Sequence, residues 1–421
     1  MSVSLEHLLL PVKISEGNYY HPGQDLRAVN STVITIHPVV PNLYTLLNLL
    51  PTQASWFTGL HRKVTFFCLR LSPANQPLFA IEWEDPHSGR KTQLTWTQLP
   101  QGFKNSPTLF GEALAAGLAA FPGETLNCAP LQYMDDLLPA SPTHGDCWRG
   151  TKALSALLST TGYKVSWKRA QICRWEVKYL GFVISKGHRA LGHERKQAIC
   201  SIPRPNTKKE VHEFLGAARF CCIWILGFSE IAKPLFKATA GYGKDPLEWE
   251  PEWEKAFEEI KRLVTSAPAL GLPDVTWDFN LFVGEKSHTA LGVPTQTAGL
   301  WQCPVAYLTK KLNPVVAGWL PGPRALAASV ALVREADKLP RGQSINVKVP
   351  HAVTALMNRQ GHKWLTNSRM THYQGLLCEN AQVQLETVWT LNPTIFLPTE
   401  AGTPEHNCEE VIDEICLSTR T

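Results

Sequence analysis

A chain of 421 residues is too long for one hydrophobic core and predicts two to four subdomains. With 44% hydrophobic residues and a net charge of +5, it has the composition of a globular protein, not of a disordered one. No apolar run reaches 18 residues, the Leu8–Leu10 cluster lacks a basic flank, and the 11 cysteines include no CxxC, so neither a membrane span, a secretory leader nor a zinc module is expected.

Residues 1–50 are rich in Pro, Asn and short apolar runs. Thr65–Leu71 (TFFCLRL) and Leu94–Trp96 read as strands. Thr108–Ala120 has helical composition. Leu131–Leu138 (LQYMDDLL) sets two short apolar runs around an acidic pair, the pattern of a tight hairpin. A helix over Lys152–Leu158 and a strand over Tyr179–Ile184 follow. Thr207-x-x-Glu210 is a capping box ahead of Val211, Phe214, Leu215, Ala218 and Cys222 at helical spacing. Trp253, Ala256, Phe257, Ile260, Leu263 and Val264 make a second amphipathic helix. Strands at Phe279–Val283, Val305–Leu308 and Ile345–Val349 and a helix at Ala325–Lys338 then outline a small mixed α/β module. The last 22 residues are acidic and read as a linker or tail.

Charge is uneven along the chain. Thr160–Glu210 holds twelve Lys/Arg against three Glu, a local excess of nine positive charges that leaves the rest near −4. Such a stretch suits a phosphate-backbone surface. A merely solvated face has the same composition. Gly241-Tyr-Gly-Lys244 and Gly284-Glu-Lys-Ser287 lack the full Walker spacing, and His406/Cys408 have no second ligand pair.

The chemistry centres on Asp135 and Asp136. Adjacent carboxylates between buried strands are costly without a neutralising partner, and a divalent cation is one such partner. An exposed turn would also explain them, since Asp is common there. Their neighbourhood decides. Tyr133-Met134-Asp135-Asp136 resembles the YxDD box of reverse transcriptases. Leu99–Phe110 (LPQGFKNSPTLF) is similar to the family's LPQGF segment, Thr161–Ile172 (TGYKVSWKRAQI) to its next polymerase motif, and Lys178–Gly181 (KYLG) to its primer grip. Pro304–Lys311 (PVAYLTKK) and Arg369–Tyr373 (RMTHY) resemble the connection of gammaretroviral enzymes. The resemblance runs in family order from about Leu9 to Cys408 and is to an endogenous, gammaretrovirus-like Pol segment.

That resemblance implies an α+β right-hand polymerase followed by an RNase H-like connection. Its expected parts are truncated fingers over 1–35, a palm over 36–186 with a fingers insert at about 72–103, a thumb over 187–272, a connection over 273–395 and an acidic tail over 396–421. It implies metal-binding and catalytic roles for Asp135 and Asp136, with Mg²⁺ as the family's cofactor. Phe66, Gln101, Met134, Tyr133 and Lys168 would line the nucleotide pocket. Arg169, Lys178, Lys208 and Lys209 would meet a template–primer of RNA or DNA. An intracellular location, cytoplasmic or nuclear and away from any membrane, goes with those roles.

The departures matter as much. The family's first catalytic motif reads, in type, aromatic-Thr-x-Leu-Asp-Leu-Lys-Asp-Ala-Phe-Phe. This chain has Phe57-Thr-Gly-Leu-His61-Arg-Lys-Val64-Thr-Phe66-Phe67, with His61 in place of the bridging aspartate and Val64 in place of a second acid. There is no Asp or Glu between Asp25 and Glu82 to substitute. Two-metal phosphoryl transfer needs ions about 4 Å apart on shared carboxylates. Mg²⁺ prefers hard oxygen ligands, which imidazole is not. The triphosphate grip is altered at Lys13-Ile14 and Tyr20-His21-Pro22, and Gly284 stands where the connection fold could carry an acid, so no RNase H site is expected. The expected function is a nucleic-acid-binding pseudoenzyme. The alternatives are an active RNA-directed DNA polymerase completed by a partner, or a non-enzymatic interaction protein or pseudogene product.

Overall fold

In a computed structural model, the described residues are 9–13, 20–37, 46–61, 66–85, 87–241, 247–286, 288–298, 301–339, 343–349, 353, 357 and 365–388. The acidic tail, Val64, His406 and Cys408 lie outside them, as do the side chains of Lys13 and of Tyr20–Pro22. The chain divides into two units: 1–46 with 53–177, and 47–52 with 178–421.

The first unit opens with β1 (Leu9–Lys13) and β2 (Tyr20–Gln24), an antiparallel pair. Its centre is a four-stranded sheet in the order β6-β7-β3-β8, from β3 (Trp56–His61), β6 (Ala129–Tyr133), β7 (Asp136–Ser141) and β8 (Gln171–Arg174). A separate hairpin joins β4 (Ile81–Glu84) to β5 (Lys91–Leu94). Two helices, α1 (Ser106–Leu118) and α2 (His144–Thr160), supply Phe110, Leu114, Leu154 and Leu158 to a core shared with Leu60 and Leu137. Thr143 caps α2 by accepting from the Asp146 N–H at 3.1 Å. Truncating any of these buried leucines to Ala would cost about 2–5 kcal/mol.

Two strand expectations are not met here. Phe66–Cys68 is a 3-10 turn, not part of a strand over Thr65–Leu71. The apolar run is satisfied instead by packing its side chains in separate places. The turn sends Phe66 onto Phe110 and Phe67 onto Trp96, with ring centroids 5.9 and 5.3 Å apart. Trp96 lies beyond the end of β5, which occupies Lys91–Leu94.

Across the boundary at Val177, β9 (Val177–Tyr179) leads into the second unit, where β10 (Phe182–Ser185), β11 (His188–Leu191) and β12 (Leu270–Gly271) complete a four-stranded sheet with it. The single strand expected over Tyr179–Ile184 is two strands joined at Leu180-Gly181, whose φ values of 53° and 83° suit a primed hairpin turn. Then come α3 (His193–Cys200), α4 (Lys208–Arg219) and α5 (Pro251–Thr265). The capping box at α4 forms with a shift. Thr207 accepts from the Glu210 N–H at 3.3 Å, but Glu210 Oε2 takes the Asn206 N–H at 2.7 Å, one residue early. Phe214 of α4 packs on Phe257 of α5 with centroids 4.6 Å apart.

A mixed sheet closes this unit: β13 (Phe279–Lys286), β14 (Thr289–Ala298), β15 (Trp301–Pro304), β16 (Leu308–Lys311), β17 (Ile345–Val349) and β18 (Val383–Thr387), with β13-β17-β18 parallel. Helix α6 (Pro321–Ala336) packs on it, with α7 (Asn367–Leu377) alongside. The strand expected at Val305–Leu308 starts only at Leu308. Upstream, the Val305 N–H donates to Pro294 and the Tyr307 N–H to Ile223, each at 2.9 Å.

Candidate active site

Strand β3 carries an unbroken buried run, Phe57-Thr-Gly-Leu60, and reaches the surface at His61. Both faces are covered there, so the run does not alternate. Gly59 sits at a close approach: a Cβ at that position would lie 3.1 Å from both Gln171 Nε2 and Val177 Cγ2, so those side chains would have to give way to a larger residue. Thr58 pins the strand to its neighbours. Its Oγ1 lies 2.8 Å from Thr151 Oγ1 on α2 and accepts the Cys173 N–H of β8 at 3.0 Å. Burial pushes the adjoining Cys147 thiol up to about 12, so it remains protonated and structural.

The β6–β7 hairpin delivers the acidic pair. Tyr133 and Asp136 are matched across it, leaving Met134-Asp135 as a two-residue turn with Met134 at φ 51°. That left-handed conformation is unusual for a side chain of this size. Gln132 steadies the turn by donating to Gly111 O on α1 at 3.2 Å and to Met134 O at 3.4 Å. Asp135 and Asp136 are both half-buried.

His61 and Asp136 meet at the end of the sheet. They are paired in the β3–β7 register, and His61 Nδ1 donates to Asp136 Oδ1 at 2.7 Å. The hydrogen bond to Asp136 raises the His61 pKa above its usual value. Burial and Arg169 oppose that shift, while the charges of Asp136 and Asp135 add to it. Lys168 and Arg169 are exposed in a turn anchored to the same strand by the Ser166 N–H, which donates to His61 O at 2.8 Å.

The other expected residues divide between the units. Phe66 is half-buried against Phe110, and Gln101 is exposed in the turn ahead of α1. Lys178, Lys208 and Lys209 belong to the second unit, where Lys178 pairs with Glu194 at 2.7 Å and Lys209 with Glu213 at 3.6 Å. The basic stretch 160–210 is thus split at Val177. Sequence reasoning gave no role to Thr58, Thr151 or Ser166, which fix His61 in place. Small hydroxyl residues give no pattern from which such contacts can be read.

The donor set does not suit a pair of hard cations. Among the described residues no group of three or more His, Cys, Asp and Glu could hold a metal ion, and one oxygen of Asp136 is already committed to His61. No described helix is long and apolar enough to cross a membrane.

Comparison with known proteins fixes the class. Residues 16–184 match the reverse transcriptase (RNA-dependent DNA polymerase) family, and residues 249–347 match the RNase H-like domain found in reverse transcriptase. The foamy viral protease-reverse transcriptase in complex with double-stranded DNA superposes with a TM-score of 0.81 at 25% identity, over 93% of this chain and 79% of that one. The same viral protein in complex with an RNA/DNA hybrid gives 0.77 at 25% identity, over 96% and 52%. The fold is therefore that of a retroviral reverse transcriptase with an RNase H-like domain after it.

The particular likeness is to gammaretroviral Gag-Pol. The Gag-Pol polyproteins of gibbon ape leukemia virus and koala retrovirus are 49% and 50% identical over 407 residues, 96% of this chain. The chain spans 24% of the length of those relatives. Over nearly its whole length the chain is thus similar to part of a gammaretroviral Gag-Pol polyprotein, and its residues 16–184 match the reverse transcriptase family.

Proposed function

We propose that this chain binds template–primer nucleic acid but has little or no polymerase activity. The observation that carries the reading is the His61–Asp136 contact at 2.7 Å, because an imidazole and its hydrogen bond occupy the place where the family's resemblance puts a shared carboxylate. Reverse transcriptases generally use a divalent metal, and Mg²⁺ is the ion expected for this one. A protonated His61 repels such an ion, and a neutral one offers a soft nitrogen to a hard cation. Its solved neighbours hold double-stranded DNA or an RNA/DNA hybrid, which supports nucleic acid as the partner. A protein with that partner acts inside the cell. In this reading the first unit is palm with fingers, and the second is thumb followed by connection.

Loss of an interaction made in the transition state lowers turnover more than affinity. Primer extension with Mg²⁺ and with Mn²⁺, run beside template–primer binding and beside a His61→Asp variant, tests this. Binding without extension by the unmodified protein is the expected result. Robust Mg²⁺-dependent extension by the unmodified protein would refute the reading.

A further inference from the structure

We infer that Trp167 is a stacking platform for an unpaired nucleobase, with Lys168 and Arg169 holding the adjoining phosphates. The inference rests on the reading that this chain binds nucleic acid, and it names the strand form and the residue that receives it.

A single exposed indole is ordinary on a protein surface. Its neighbours make the distinction. Four tryptophans of the first unit are exposed: Trp83 at 41%, Trp148 at 54%, Trp167 at 60% and Trp175 at 60%. Trp83 lies between Glu82 and Glu84 on β4, and Trp175 precedes Glu176. Trp148 precedes Arg149, which is held by Asp146. Trp167 is followed by Lys168 and Arg169, both exposed, and among the described residues no acid pairs with either.

The backbone beneath Trp167 is fixed while its side chain is not covered. The Ser166 N–H donates to His61 O at 2.8 Å, the Arg169 N–H to Ser166 O at 3.1 Å and the Ala170 N–H to Trp167 O at 3.3 Å. A rigid turn presents the ring at little ordering cost on binding. Every base has a π-face, so an exposed indole beside cations binds single strands with little regard to sequence. In a duplex the base faces are already stacked, and only the end pairs offer one. The strand form that gains from Trp167 is therefore the single strand. The turn is anchored to His61, the cross-strand partner of Asp136, by the Ser166 N–H.

The test compares the unmodified protein with Trp167→Ala and Trp167→Phe by fluorescence anisotropy, using labelled oligo(dT) and a blunt DNA duplex. Trp167→Ala should weaken oligo(dT) binding by about fivefold to a hundredfold, the worth of one stacked base, and leave the duplex less affected. Trp167→Phe, which keeps a ring, should retain most of the affinity. Thermal melting should be the same for all three, because the side chain is exposed. Equal oligo(dT) binding by Trp167→Ala, equal damage from Trp167→Phe, or an equal loss on the duplex would each overturn the inference while leaving nucleic-acid binding intact. Absence of binding to either probe by the unmodified protein would overturn both this and the reading it rests on.

Discussion

His61 and Asp136 are cross-strand partners: their Cα atoms are matched in the β3–β7 register, and their side chains meet at 2.7 Å. Register, not side-chain reach, brings them together. A slip of one residue would turn each side chain to the other face of the sheet. The adjoining pair, Leu60 and Leu137, is fully buried, which prevents such a slip. The imidazole is thus built into the site by the same packing that holds the sheet.

His61→Asp should make stability depend on divalent cations. The substitution sets a third carboxylate beside Asp135 and Asp136, and like charges at close range disfavour one another. A cation that binds only the folded protein then stabilises it by mass action. The variant should melt below the unmodified protein in chelator and regain stability with Mn²⁺ or Mg²⁺. The unmodified protein should show little response. A variant whose melting ignores added cation would mean that the three groups do not converge.

The His61–Asp136 pair also predicts a direction of pH dependence. The folded protein holds His61 above its usual value, chiefly through the hydrogen bond to Asp136. The pair's contribution is therefore complete below about pH 6.5, the unfolded value, and is lost as pH rises through the higher folded value. The stability difference between the unmodified protein and His61→Gln should shrink across that window. Its size should be about 1 kcal/mol or less, because the pair is partly exposed. Denaturant titrations of both proteins at several pH values check this, and a difference that grows with pH would contradict it.

Binding of a duplex should weaken steeply with salt. Each phosphate neutralised contributes a log–log slope of roughly 0.9 on B-form DNA. Lys168 and Arg169 lie in the first unit, and Lys208 and Lys209 open a helix of the second. Replacing all four by Ala should lower both the affinity and the slope. Replacing either pair should lower each by less. An unchanged slope in the fourfold variant would remove these residues from the phosphate contacts.

What the sequence disclosed follows from what each signal depends on. The hairpin around Asp135 and Asp136, the cap at Thr207 and the strand at Ile345–Val349 are local patterns, and all three are found in the structure. The replacement at His61 was visible because the flanking residues keep the motif's order. Its hydrogen bond to Asp136 was not, since a contact 75 positions away depends on register. Phe66-Phe67-Cys68 misled because apolar β-formers look like strand whether they pair or turn. Only the separate contacts with Phe110 and Trp96 resolve that. The split of the basic stretch at Val177 is likewise a tertiary fact that charge counting does not contain.

The RNase H-like sheet offers the last test, in a partly buried ion pair. Gly284 leaves the expected acid position of β13 empty, but the next residue, Glu285, is on the face that α6 covers. Its side chain is only 6% exposed, and Arg324 Nε of α6 lies 2.8 Å from its Oε2. Its Oε1 accepts the His288 N–H at 3.0 Å, which closes the turn to β14. Removing one partner of such a pair strands the other charge, at a cost of up to about 3 kcal/mol, since the guanidinium is partly exposed. Arg324→Met alone should therefore destabilise the protein by up to that much. Adding Glu285→Gln should recover most of the loss, because a neutral amide keeps the acceptor for His288 and needs no counter-charge. Denaturant unfolding of the two single variants and the double variant measures this directly. If the double variant is destabilised by the sum of the two singles, the charges are not coupled and Glu285 is held by His288 alone.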